Sequence, residues 1–145
     1  MDFFSAMNVG ASALTAERTR MNLISSNLAN ANTTRTPEGG PYKRKDAVFS
    51  ATPLENSFGR TLDGATGQQV SQVQVSRIVE DQNPPRMEYD PSNPDADPQG
   101  YVAMPNVNVI EEMADMLTAS RAYEANVTAV QAAKNMALKT LEISK

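Results

Sequence analysis

Three short strings carry side chains that could do chemistry. Asn93-x-Asp95-x-Asp97 sets amide and carboxylate oxygens at alternate positions, as a calcium loop does. Such a loop also needs glycine at its sixth position, for the sharp turn, and glutamate at its twelfth. Here Pro98 holds the sixth position and no glutamate stands at the twelfth, so the string reads as a solvated linker. Lys43-Arg44-Lys45 could touch phosphate. It runs straight into Asp46, in a chain with 13 Lys+Arg against 17 Asp+Glu and a net charge of -4, so it reads as a solvated strand face and no nucleic acid is expected as a partner. Ser25-Ser26 offers hydroxyl nucleophiles, but nothing stands ready to activate them. The chain has no His, and no Lys before Lys43. Without His or Cys the commonest general base, the commonest metal ligand and every thiolate chemistry are missing. The expectation is a non-enzyme with no catalytic residue, no cofactor and no metal.

The elements that must place these strings divide sharply. All 9 Pro lie between Pro37 and Pro105, and six of the 7 Gly lie between Gly39 and Gly100. Pro and Gly break helices and mark turns, so two helical ends flank a turn-rich middle. The domain reading is 1–36, 37–105 and 106–145. At the first end Phe4, Met7, Ala11, Leu14, Arg18, Met21, Ser25 and Leu28 recur at alternating spacings of 3 and 4, a heptad-type stripe. Asn8, Ser12, Thr15, Thr19, Asn22 and Ser26 occupy the other side, polar but uncharged. A helix that faced only water would carry Lys and Glu there. This helix is predicted over 3–30, ending near Asn30 or Asn32 with Asn as its C-terminal cap.

The second end repeats the pattern with Val109, Met113, Met116, Ser120, Tyr123, Val127, Val130, Lys134, Ala137 and Leu141. A second apolar track adds Ile110, Leu117 and Leu138. Asn108 with Glu111 resembles a capping box. Glu111, Glu112 and Asp115 near the start and Lys134, Lys139 and Lys145 near the end suit the helix dipole. A helix over 108–143 would be ~54 Å long, and the first ~42 Å. The middle predicts strands at 42–49, 70–79 (with broken alternation) and 86–89, a loop over 50–69 and a Pro/Asp linker over 90–105. The fold class is therefore mainly α with a small β part: two long terminal helices paired as an antiparallel coiled coil around a short-stranded, loop-rich middle. A bare pair of such helices cannot bury both a wide stripe and a second apolar track. The surplus needs partners.

No apolar run approaches the ~20 residues of a membrane span. The start, Met1-Asp2-Phe3-Phe4-Ser5, lacks the basic and apolar regions of a cleaved secretory signal. Asn is frequent at the helical ends, although it is a poor helix former. Asn27 and Asn126 fall inside their helices, where an amide could serve a turn or cap, or could bridge subunits by donating and accepting together. Arg121 and Tyr123 are of types enriched at interface anchors.

Ser26-Asn27-Leu28-Ala29-Asn30-Ala31-Asn32-Thr33 resembles the N-terminal signature of bacterial flagellar axial proteins, the rod, hook and junction subunits. Ser120-Arg121-Ala122-Tyr123-Glu124-Ala125-Asn126 resembles the C-terminal signature of the rod subunits. Pro37-Glu38-Gly39-Gly40-Pro41-Tyr42 and Gly100-Tyr101-Val102-Ala103-Met104-Pro105-Asn106-Val107-Asn108 are similar to segments of its proximal-rod branch. The sequence departs from that branch at Asn93, where His is frequent. The resemblance implies a structural subunit of the basal-body rod, without enzymatic activity. It implies passage through the flagellar type III export apparatus without a cleaved signal, then assembly in the periplasm around the central channel. The implied partners are other copies, other rod proteins and the export-gate side of the basal body. Leu14, Met21, Asn27, Leu28, Asn30, Asn106, Met113, Met116, Arg121, Tyr123, Asn126, Val127, Val130 and Leu141 are the expected assembly contacts. The competing reading from the residues alone is a small helical adaptor or chaperone-like binding module, its wide apolar face gripping a different protein.

Overall fold

The computed structural model describes residues 3–53 and 71–143. Helix α1 runs Phe3–Ala29 and helix α2 runs Val109–Ile143, close to the ends that the Pro and Gly distribution sets. The side chain of Asn108 caps α2, its Oδ1 accepting from the N–H of Ile110 at 3.1 Å, which satisfies one of the free donors of the first turn. At the end of α1, Asn30 caps without entering the left-handed region, since every described non-glycine residue keeps φ negative. Its amide nitrogen instead donates to the carbonyl of Ser26 at 2.9 Å. The backbone N–H of Asn30 donates to the same carbonyl at 3.0 Å, so Asn30 ends the helix as expected, with its side chain adding to the cap.

The helices pack antiparallel. Gly10 of α1 meets Val130 of α2: a Cβ built on Gly10 would lie 2.5 Å from Val130 Cγ2. Further along, Arg20 pairs with Asp115 at 3.6 Å and Asn27 with Glu112 at 3.0 Å. Ala16 and Ile24 on α1 and Ala119 on α2 are buried. The stripe read on α2 is half-buried at Met116, Ser120, Tyr123, Val127, Val130 and Ala137, but not at its start. At its start the buried position is Glu112, while Val109 is 45% and Met113 56% exposed. A charged residue occupies the core position there because Asn27 receives it, and this turns the apolar side chains of the first turns outward.

Strands β1 (Lys45–Pro53) and β2 (Ser71–Glu80) pair antiparallel, and α1 lies against both. The expected first strand, 42–49, is displaced by about three residues because Tyr42 is held back beside α1. The pairing shifts between Val48 and Phe49, leaving Ser76 unpaired in the ladder as a bulge, which explains the broken alternation in that stretch. The predicted loop over 50–69 gives way to strand as far as Pro53; its remainder lies outside the described residues. Strands β3 (Arg86–Tyr89) and β4 (Tyr101–Met104) form a second antiparallel pair. β4 falls inside the stretch read as linker. No described helix is long and apolar enough to cross a membrane.

Candidate assembly surface

A buried polar lock ties the two helices to the start of β1. Asn27 is 1% exposed. Its Nδ2 donates to the carbonyl of Lys45 at 2.9 Å and to Glu112 Oε2 at 3.0 Å. Its Oδ1 accepts from the N–H of Lys45 and from the Tyr42 hydroxyl, each at 2.9 Å. Both amide hydrogens and both lone pairs are therefore used within the chain. Asn27, expected as an inter-subunit contact, has no hydrogen-bonding capacity left for a neighbour. It is an internal joint.

Glu112, also 1% exposed, receives Arg44 Nε on its other oxygen. Arg44 further approaches Asp46 at 3.4 Å and Asp115 at 3.9 Å. Burial works against the guanidinium charge, but the hydrogen bond and charge of Glu112, with Asp46, hold Arg44 above its ordinary value. A buried carboxylate requires such a partner. Of the basic tripeptide only Arg44 is drawn inward, onto Glu112; Lys45 pairs with Glu80 at 3.4 Å with both side chains about 40% exposed, and Lys43 is exposed, so those two do lie on a solvated face. Sequence reasoning passed over Glu112 because acids in a first turn are ordinarily read as dipole partners. The signal was Tyr42-x-Arg44 following an in-helix Asn.

The remaining expected contacts separate by exposure. Leu14, Met21, Leu28, Asn30, Tyr123, Asn126, Val127 and Val130 are half-buried. Met116 is half-buried, whereas Met113, Arg121 and Asn106 are outside, and Leu141 is 66% exposed. Outward along α2 runs an apolar ridge: Ile110 79%, Met113 56% and Leu117 62% exposed. α1 is the only described helix or strand against α2, so nothing described covers this ridge. At the other end of the pair an apolar groove of about 640 Å³ opens between Phe3, Phe4 and Ala6 on α1 and Ala133, Met136 and Ala137 on α2. The calcium-like string builds turns: Asn93 Oδ1 accepts from Asp95 N–H, Asp97 Oδ1 from Gln99 and Tyr101 N–H, and Asp95 from Thr34. No group of metal-ligating side chains occurs among the described residues.

A helix pair formed by the two chain ends, with an uncovered apolar ridge and a small β part between, is the architecture of a subunit that packs with others. Residues 7–35 match the family of flagella basal body rod proteins, and residues 99–143 match the C-terminal family of flagellar basal body rod FlgEFG proteins. These matches define a flagellar basal-body rod subunit. The chain is 45% identical to the flagellar basal-body rod protein FlgC of Bacillus subtilis, with the whole of both chains covered. It is 44% identical to that of Borreliella burgdorferi, over 99% of this chain and 98% of the relative, and 39% identical to that of Salmonella typhimurium over the whole of both. The chain belongs to the FlgC family of flagellar basal-body rod proteins, and is a structural subunit of the rod that assembles with other rod and basal-body proteins.

Proposed function

We propose that the subunit polymerises through its terminal helices into the proximal rod, a torque-transmitting shaft around the export channel. The ridge Ile110–Met113–Leu117 carries this reading. Three large apolar side chains exposed in line on one helix face are costly in water, and their burial in a packed tube returns about 1.5–3 kcal/mol each. In this reading the chain crosses the flagellar type III export apparatus and reaches the periplasm. There it meets other copies, other rod proteins and the export-gate side of the basal body. It catalyses nothing: its work is packing.

Met116 and Val127 are half-buried, so charging them would disturb the fold as well as assembly. Ile110→Asp and Leu117→Asp test assembly instead. Both positions are exposed, so the purified variants should keep the parent's helical circular dichroism, and their stability should stay within about 0.5 kcal/mol of it. Incorporation into isolated basal bodies, read by immunoblot, should be lost together with motility. Wild-type incorporation of both variants would sink the reading.

A further inference from the structure

Among the described residues one buried side-chain atom lacks a hydrogen-bond partner, Oε2 of Glu17. Glu17 is half-buried in the middle of α1. It lies seven residues after Gly10, and Tyr123 lies seven before the Val130 that Gly10 meets. Heptad register therefore sets Glu17 level with Tyr123, away from the Asn27 joint. The cations beside it on its own helix do not serve it. Arg18 is adjacent in sequence, and adjacent residues of a helix do not face each other. Arg20 pairs with Asp115. A carboxylate oxygen sealed from water without a donor is costly, and in a native fold such a group calls for a partner. Only Oε2 is sealed, so a cation can still neutralise the carboxylate through its other oxygen.

Arg121 is the complementary case. It is exposed on α2, and its guanidinium pairs with no described residue. It follows Leu117 by one helical turn, so it continues the line Ile110–Met113–Leu117. Packing that covers the ridge therefore takes this guanidinium out of water too. A guanidinium so placed needs a carboxylate at close range. Neither Glu124, one turn on, nor Glu17 of the same chain pairs with it. The other unpaired cations of the described helices are Arg18, on α1 itself, and Lys134 and Lys139, beyond the ridge. Burying the ridge strands a cation, and the fold already strands an anion.

We propose that Arg121 of one copy pairs with Glu17 of a second copy, which seats the α2 ridge of the first against α1 of the second. This rests on the ridge being an assembly surface and names the surface it meets. The two surfaces differ, so the contact is head-to-tail, and each copy still offers its unused half to a further one. The charge pair also fixes register, because an apolar ridge tolerates several offsets along a helix whereas a guanidinium and a carboxylate meet at one.

The chain has no Cys, so cysteines introduced by Glu17→Cys and Arg121→Cys are the only thiols. The double variant is expressed in the bacterium, and isolated basal bodies are treated with a short bismaleimide, then read by denaturing immunoblot and peptide mass spectrometry. The expected product is a covalent dimer, with higher multiples, joined between positions 17 and 121 and absent from either single variant. A link only within one chain, a link to a different protein, or no link in basal bodies that contain the double variant overturns the proposal. A second arm reverses charge and decides the matter if the cysteine variant stays out of basal bodies. Glu17→Arg alone and Arg121→Glu alone should each lower incorporation about tenfold, and both together in one chain should restore most of it. A double variant no better than the singles overturns the pairing. Ile110→Asp separates the two readings: if it blocks incorporation while neither link nor rescue is found, the ridge stands and the pairing falls. If Ile110→Asp incorporates like the parent, the reading of the ridge falls first.

Discussion

Asn27 holds the backbone of Lys45 at both its N–H and its carbonyl, the arrangement of a strand partner made from a side chain. Asn27→Ala would leave both groups, and one oxygen of Glu112, short of a partner in a buried site. The expected cost is about 2–3 kcal/mol, a fall in Tm of about 5–10 °C by calorimetry. Glu112→Ala should cost about as much, because it leaves Arg44 without its main counter-charge. Glu112→Gln keeps an acceptor and should cost less. Asp81 contributes differently. The N–H of Asn83 donates to its carboxylate at 2.9 Å and lowers its pKa. A carboxyl lowered on folding adds stability above its unfolded value, and that stability disappears as pH falls through the folded one. Asp81→Asn should therefore narrow the stability difference between about pH 6 and about pH 3 in urea titrations. At this scale the sequence was half legible: Asn27 stood out as an amide inside a helix. Its partners could not be read, because Tyr42, Lys45 and Glu112 reach it only through the fold.

The helices were legible as elements because Pro and Gly are absent from the ends apart from Gly10. That exception has a physical reason, since a Cβ on Gly10 would run into the Val130 side chain of α2. Gly10→Ala should gain up to ~1 kcal/mol of helix propensity but lose about 1–3 kcal/mol to overpacking. The net expectation is a lower Tm, restored at least in part by adding Val130→Ala; a double-mutant cycle reads the coupling. The face of α2 was legible in its middle and not at its start. Periodicity assigns apolar residues inward, and no periodicity anticipates that a buried amide and arginine will draw Glu112 into the core instead. β4 was hidden for a related reason. Tyr101–Met104 follows a run of Pro and Asp that looks like solvated chain, and its partner β3 lies across that whole run.

Over the molecule, burial is uneven. Among the described residues, those less than a tenth exposed are Ala16, Ile24, Asn27, Ala31, Val102, Glu112 and Ala119, with Pro105. None of the described positions from Ser120 onward is buried to that degree. Local stability follows buried contact, so the free subunit should open from the far end of the pair. Hydrogen exchange on dilute chain should show amide protection falling from Ala119 toward Thr140, and trypsin should cut first at Lys134 and Lys139. In assembled rods both sites should be shielded; equal cleavage in the two states would contradict the packing argument. The sequence carried the need for partners in its surplus apolar residues. It did not carry their location, which depends on how α2 is rotated. The same pair also has two keyed points, Gly10 against Val130 and Asn27 against Glu112, about 26 Å apart at 1.5 Å per residue. A smooth apolar seam could slip by a turn under an axial pull, exchanging one set of leucines and alanines for another. Two unlike teeth, a notch at one end and a charged peg at the other, cannot both re-engage after such a slip, so the pair has a single phase and strain along it passes directly to the strand held at Lys45.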